Sequence, residues 1–202
     1  AYAYVSYQTA WLKAHFPAPF MAAVLSGMMD DTDRIAFTVG ESKKSGLIIG
    51  APNICQSEYE FSITDDKTII YGLGAIKGVG ESFVREIVLE RENNGNYNDI
   101  FDFCLRLEKK YLNRRAIEAL IYSGAFDIFG VKRAILIATY PRAIKQAEQR
   151  QNDFSKGQVS LFSEVKSHIE YEKNYIKGEY LPFKNILMLE KSVMGYYLDR
   201  HP

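Results

Sequence analysis

The chain has 202 residues, of which 47% are hydrophobic and 13% aromatic, and its formal net charge is zero. This composition supplies apolar side chains for one or two buried cores and excludes a disordered or collagen-like class. No run approaches the roughly 20 apolar residues that span a bilayer, and the first residues lack the basic flank of a signal peptide. We therefore expect a globular protein of the cytoplasm with no membrane partner.

The first third of the chain reads as helix followed by strand. Residues 6–14 place Tyr7 and Trp11 on one helical face, and a second apolar helical pattern follows over 20–28. The acidic run 30–33 offers N-cap chemistry for a third helix. Together these patterns predict a helical pair and a capped third helix.

A small β-hairpin is predicted next. A short apolar strand over 47–49 precedes it, residues 59–63 alternate as a half-buried strand, and 68–71 form its return strand. Asp65-Asp66 provides the turn between the two strands. The fold class is therefore mainly α with a small β-hairpin.

The rest of the chain is predicted to consist of short helices, interrupted by two polar stretches. One polar stretch, 146–157, is predicted to be a mobile linker, and the other covers 164–180. Between them lies an apolar island, Val159–Phe162. The helices are predicted over 81–91, 100–107, 113–123, 131–150 and 183–198.

Neither a metal site nor a catalytic centre is indicated. The cysteines, Cys55 and Cys104, stand far apart without a CxxC partner, so they predict neither a zinc site nor a disulfide framework. Asp30-Asp31 and Asp65-Asp66 are read as caps and turns. The histidines are scattered and are treated as structural residues; they are His15, His168 and His201.

The most informative local pattern is a glycine-containing turn between two short helical segments, residues 73–88. In the turn Gly78-Val79-Gly80 the two glycines can take positive φ and let the backbone approach a ligand, while the amides of the following helix point outward with its positive dipole end. Such a turn suits a phosphate, and Lys77 adds a charge. The pattern resembles the helix-hairpin-helix family, whose hairpins grip DNA backbone without reading bases. The alternative is a tight turn with no ligand.

Basic residues follow the hairpin, although the net charge of the chain is zero. Acids predominate over 30–66 and bases over 106–150, so one half of the protein could face phosphate. The candidates for phosphate contact are Lys109, Lys110, Arg114 and Arg115. They could equally be ordinary solvated charges.

A second candidate site is the pentapeptide Gln158-Val159-Ser160-Leu161-Phe162. A Leu-Phe pair in polar surroundings is exposed unless a partner buries it, and Gln158 can fix the register at the edge of a groove. The peptide resembles the Gln-x-x-Leu-Phe motif by which bacterial polymerases bind the sliding clamp, although Val159 stands where leucine is common. The alternative is that Leu161 and Phe162 fold back onto the core of the protein itself.

Longer stretches, in family order across the chain, resemble the alpha-subunit family of bacterial DNA polymerase III, the C-family replicative polymerases. The resemblance implies that 1–66 is the end of the fingers and 67–202 the clamp-binding domain with its helix-hairpin-helix. It implies as partners double-stranded DNA, bound without sequence preference, the sliding clamp (beta subunit) and other holoenzyme subunits through regions outside this chain. The stretches are 4–17, 71–80, 112–115, 123–127, 157–162, 194–198 and His201-Pro202.

The same resemblance implies that the intact protein is an enzyme, a DNA-directed DNA polymerase that uses magnesium. Its metal-binding aspartates would lie before Ala1, so this chain alone is expected to have no catalytic residue and no cofactor. One alternative is a free-standing helix-hairpin-helix DNA-binding or repair protein. A base-excision role is disfavoured, because Glu81 and Ser82 stand where the glycosylase branch places its lysine. A further alternative is an adaptor that contacts no DNA.

Overall fold

The computed structural model describes residues 2–155, 175–179 and 181–197. These residues form eight α-helices, three short strands and three single 3-10 turns, the mainly helical fold that the sequence predicts. The helices are α1 (Tyr2–His15), α2 (Pro17–Ser26), α3 (Thr32–Lys44), α4 (Glu81–Asn94), α5 (Ile100–Arg106), α6 (Arg114–Ser123), α7 (Arg133–Ser155) and α8 (Phe183–Met194). The strands are β1 (Ile48–Gly50), β2 (Ser62–Ile63) and β3 (Thr68–Ile70), and the 3-10 turns are Leu73–Ala75, Lys109–Tyr111 and Asp127–Phe129.

The predicted helical pair and third helix are confirmed. Pro17 occupies the first turn of α2, where its missing amide costs no hydrogen bond. Asp31 caps α3 by accepting a 3.0 Å hydrogen bond from the Arg34 amide. α1 packs against α2 and has no buried residue; Trp11 remains 43% exposed.

The predicted β-hairpin is also confirmed, but its first strand is shorter than predicted. β2 pairs antiparallel with β3 only at Ser62 and Ile63, although strand was expected from Tyr59. The carbonyl oxygens of Glu58 and Tyr59 instead accept hydrogen bonds from the amides of the 3-10 turn 73–75, so this stretch bends away from the sheet.

A pairing that was not predicted completes the sheet. β1 lies parallel to β3, with Ile49 opposite Ile69, and gives the strand order β1-β3-β2. Asp65 makes the turn between β2 and β3, where its carboxylate accepts 2.8 Å hydrogen bonds from the amides of Lys67 and Thr68.

The helices after α4 enclose a core of buried aromatic rings. Phe103 lies between Tyr97 and Phe126, with centroid separations of 5.0 Å to each and edge-to-face geometry. Asn113 caps the start of α6, because its side chain accepts from the Arg115 amide, and Gly124 caps the end of α6 in the left-handed conformation. These signals explain why α6 follows its predicted bounds closely.

The predicted linker over 146–157 is wrong as far as Ser155, because α7 continues through it. Ala147 is buried, and both polar atoms of the Gln151 side-chain amide are hydrogen-bonded. Its amide donates to the Leu107 carbonyl, and its oxygen accepts from the Lys109 amide, each at 2.8 Å. This docking against the end of α5 holds a polar sequence in the helix.

α8 ends at Met194, before the C-cap residue Gly195 with φ +82°, and so stops earlier than the predicted residue 198. Val193 and Met194 are buried in the same cluster of side chains as Ala18 and Leu73, so one core runs through both predicted domains. The boundary at residues 66 and 67 remains a prediction.

No helix in the described part of the chain is long and apolar enough to cross a membrane.

Candidate nucleic-acid interface

The backbone of the hairpin is built around a single residue with positive φ. The 3-10 turn 73–75 is followed by Gly78 at φ +94° and by a 3.0 Å hydrogen bond from the Val79 amide to the Ile76 carbonyl. Gly80 has φ −89° and ψ 153°, an extended conformation open to any residue. Only one of the two glycines therefore uses the left-handed region.

Gly80 serves the hairpin through its open surroundings. A Cβ atom built there would meet no heavy atom within 4 Å, so the start of α4 is open to an incoming ligand. Gly80 is the N-cap residue of α4. Because glycine has no side chain, it cannot accept a hydrogen bond from the first amides of the helix. The positive end of the helix dipole is thus left for a ligand or for water.

Buried side chains hold the hairpin in place. Ile76 is 1% exposed and Val79 is 7% exposed, while Lys77 between them is exposed. The Lys77 amide donates a 2.9 Å hydrogen bond to the Val193 carbonyl at the end of α8. Because that amide already has an acceptor, Lys77 could contact a phosphate only through its side chain.

One acidic side chain lies at the start of α4. Glu81 accepts a 2.6 Å hydrogen bond from Arg85, one turn further along the helix. Both side chains are exposed. The pairing offsets part of the repulsion that the Glu81 carboxylate would exert on a phosphate bound nearby.

The four basic residues predicted to contact phosphate differ in what they lie against. Arg115, at the start of α6, lies against Gly78, with its Nε 3.5 Å from where a Cβ of Gly78 would be. Arg114 lies near Tyr140 of α7. Lys109 and Lys110 belong to a 3-10 turn that contacts α7, and Lys110 pairs with Glu108 at 2.7 Å.

Arg106 and Arg133, both in the basic run 106–150, form ion pairs with other residues of the chain. Arg106 pairs with Glu90 at 2.9 Å and stacks over Tyr97 at 4.4 Å. Arg133 pairs with Asp127 and with the buried Glu190. The sequence carried no local sign of these partners, because most of them come from other elements of the fold.

The described residues contain no group of three or more His, Cys, Asp or Glu side chains that could hold a metal ion. Burial raises the pKa of both Cys55 and Cys104, which keeps the two thiols protonated. The predicted clamp-binding residues, Gln158 to Phe162, lie outside the described residues.

The fold and the hairpin define a helix-hairpin-helix module. A family model described as helix-hairpin-helix motif matches residues 46–136, which contain the hairpin, α4, α5 and α6.

Curated relatives extend this similarity to the whole chain. The chain is 43% identical over 203 residues to DNA polymerase III subunit alpha of Pasteurella multocida and to that of Escherichia coli K12, with 100% of the chain covered. It is 43% identical over 219 residues to the subunit of Pseudomonas aeruginosa. Over its whole length the chain is therefore similar to a segment of DNA polymerase III alpha subunits. It spans 18% to 19% of the length of these relatives.

Proposed function

We propose that this chain is the part of a replicative polymerase alpha subunit that holds duplex DNA and fastens the enzyme to the sliding clamp. The observation that carries the DNA-binding role is the hairpin itself. Gly78 turns the backbone, Ile76 and Val79 anchor it, and Gly80 leaves the start of α4 open.

The geometry favours backbone binding over base reading. A helix N-terminus offers amide donors and a partial positive charge, which match a phosphate oxygen but carry no sequence information. The hairpin presents two glycines and one exposed lysine to a ligand. Binding is therefore expected to be independent of sequence.

The charge of the chain predicts weak binding in isolation. Its 25 basic and 25 acidic residues cancel, so attraction to DNA comes from a local patch. Each phosphate that the patch neutralises steepens the fall of log affinity with log salt by about 0.9. A few contacts give binding that is measurable at low salt and lost at high salt.

DNA binding is tested by fluorescence anisotropy with a labelled mixed-sequence duplex and the 202-residue chain. We expect Gly80→Leu to weaken binding strongly, because its side chain would occupy the space open to a phosphate. Thermal unfolding of the variant serves as the control for folding. Equal affinity of the variant and the unchanged chain would remove the hairpin from the proposed function.

Within the intact enzyme, residues 1–66 would form the end of the fingers and 67–202 the clamp-binding domain. The whole polymerase would add deoxynucleotides to a primer end with the aid of magnesium, in the cytoplasm. We propose no catalytic step for this chain. Its role would be to retain the DNA behind the catalytic site.

The clamp-binding role rests on the pentapeptide Gln158–Phe162 and on the family relationship. Leu161 and Phe162 buried in a groove of the clamp would contribute on the order of 3 to 6 kcal/mol before ordering costs. Two weak attachments on one molecule act together through effective concentration. A modest peptide and a non-specific DNA grip can thus give long residence on DNA.

The clamp interaction is tested with purified sliding clamp. We expect Leu161→Ala combined with Phe162→Ala to abolish capture of the chain on immobilised clamp while its melting temperature stays unchanged. A large fall in melting temperature would show instead that the two side chains belong to the core of the chain. Undiminished capture would exclude the peptide as the clamp contact.

A further inference from the structure

Gly78 and Arg115 are neighbours although they lie on different elements. A Cβ atom at Gly78 would be 3.5 Å from Nε and 3.8 Å from Cγ of Arg115, and 4.0 Å from Cβ of Ala119. The Arg115 side chain therefore runs along the bare face of the hairpin. Because Gly78 has no side chain of its own, the guanidinium lies close to the hairpin backbone.

Arg115 is positioned by α6, yet its charge remains available. Its amide donates a 2.9 Å hydrogen bond to Oδ1 of Asn113, and the neighbouring Ala116 and Ile117 are buried. Its side chain is exposed and forms no ion pair with any residue that the structure describes. Several basic residues between α4 and α7 do form ion pairs, among them Arg85, Arg91, Arg106, Lys110 and Arg133.

On the basis of the proposed function, we infer that Arg115 completes the phosphate site of the hairpin from α6. One phosphate of the duplex would lie between the amides at the start of α4 and the Arg115 guanidinium. A guanidinium presents a planar fork of donors that matches two phosphate oxygens, and a lysine ammonium cannot reproduce this geometry. The site thus has two parts, one of backbone and one of side chain.

Arg114 provides a matched comparison on the same helix. It has the same charge and is also exposed, but it lies near Tyr140, where its charge opposes the increase in pKa that burial imposes on that hydroxyl. Loss of either arginine removes one positive charge from α6. Only the loss of Arg115 also removes a donor from the hairpin.

The experiment compares Arg115→Gln, Arg115→Lys and Arg114→Gln in the full chain, with a labelled mixed-sequence DNA duplex at several salt concentrations. We expect Arg115→Gln to weaken binding about ten-fold at low salt and to lower the salt slope by about one. Arg115→Lys should retain the slope but not the full affinity. Arg114→Gln should cost about two-fold, from the loss of general attraction.

The outcomes separate this inference from the proposed function. Equal losses in Arg115→Gln and Arg114→Gln would overturn the role of Arg115 while Gly80→Leu still weakens binding. If none of these variants, including Gly80→Leu, changed the affinity for duplex DNA, the proposed DNA-binding role would be wrong. Arg115 is exposed, so thermal unfolding should match the unchanged chain in every arginine variant.

Discussion

The Lys77 amide donates a 2.9 Å hydrogen bond to the Val193 carbonyl, so the hairpin is fastened to the last turn of α8. Next to this bond, Met194 is fully buried in the core. Gly195 follows with φ +82°, and a Cβ atom there would lie 2.9 Å from the Thr32 carbonyl oxygen. The end of α8 therefore holds both the hairpin and α3.

Met194→Ala should destabilise the chain strongly. Its side chain is 0% exposed, and removing it leaves a cavity that costs about 2–5 kcal/mol of unfolding free energy. Met188 on the same helix is 57% exposed, so Met188→Ala should change stability by less than about 0.5 kcal/mol. Urea unfolding measures both variants, and similar midpoints would contradict the docking of α8.

The two hairpin glycines should respond differently to alanine. Gly78 has φ +94°, where a side chain is strained, so Gly78→Ala should cost about 1–2 kcal/mol. Gly80 is extended with open space around it, so Gly80→Ala should leave stability within about 0.5 kcal/mol. Both methyl groups should weaken DNA binding. Chemical unfolding and anisotropy together test this, and an equal loss of stability in the two variants would refute the assigned backbone geometry.

Glu81 should limit the affinity of the site. Its carboxylate is at the first turn of α4, so Glu81→Gln removes repulsion of a bound phosphate and frees Arg85 from its ion pair. We expect duplex affinity to rise a few-fold at low salt and the gain to shrink as salt increases. Glu92→Gln, near the other end of α4, is the matched control. Equal gains in the two variants would point to net charge alone and not to the site.

The ion pairs of Arg133 should differ in their contribution to stability. Glu190 is 6% exposed and Asp127 is 50% exposed at the side chain. Arg133→Ala leaves the buried Glu190 carboxylate without its guanidinium and should cost about 3–5 kcal/mol. Asp127→Ala removes an exposed partner and should cost about 0–1 kcal/mol. Thermal unfolding distinguishes the two, and comparable losses would contradict this ranking.

Tyr140 should make stability sensitive to alkaline pH. Burial, followed by its hydrogen bond to the Glu118 carboxylate, raises the pKa of its hydroxyl from 10 to about 12. The folded chain therefore holds this proton more tightly than the unfolded chain. The resulting stabilisation is complete below pH 10 and is lost as pH rises towards 12.

Tyr140→Phe provides the test of that pH dependence. The difference in unfolding free energy between the unchanged chain and the variant should narrow across the interval from pH 10 to about 12. Measuring the difference cancels the titration of the other tyrosines and of the lysines. If the difference in unfolding free energy stayed constant across this interval, folding would not raise the pKa of Tyr140.

Local signals in the sequence predicted most of the helices and the position of the hairpin. Asp31 and Asn113 begin helices because their side chains accept from helix amides, and Gly124 ends one because it takes positive φ. Ile76 and Val79 anchor the glycine turn because they are apolar and buried on either side of Gly78. These features depend only on neighbouring residues, so a single sequence contains them.

The rest depended on contacts between distant parts of the chain. The parallel pairing of β1 with β3 and the docking of Gln151 at the end of α5 leave no local pattern. The same holds for the site: composition identified the bases of 106–150, but only the packing of α6 beside the hairpin separates Arg115 from Arg114. Charge spacing alone cannot make that distinction.

The bond between Lys77 and Val193 also bears on how the protein is made. A chain that grows from its N-terminus completes α4, α5 and α6 before residues 181–197 have left the ribosome. Until then the Lys77 amide lacks its native acceptor, and the apolar surface that Val193 and Met194 will cover stays exposed. The glycine turn at residues 78–80 would therefore reach its final conformation only after α8 has emerged and packed against it.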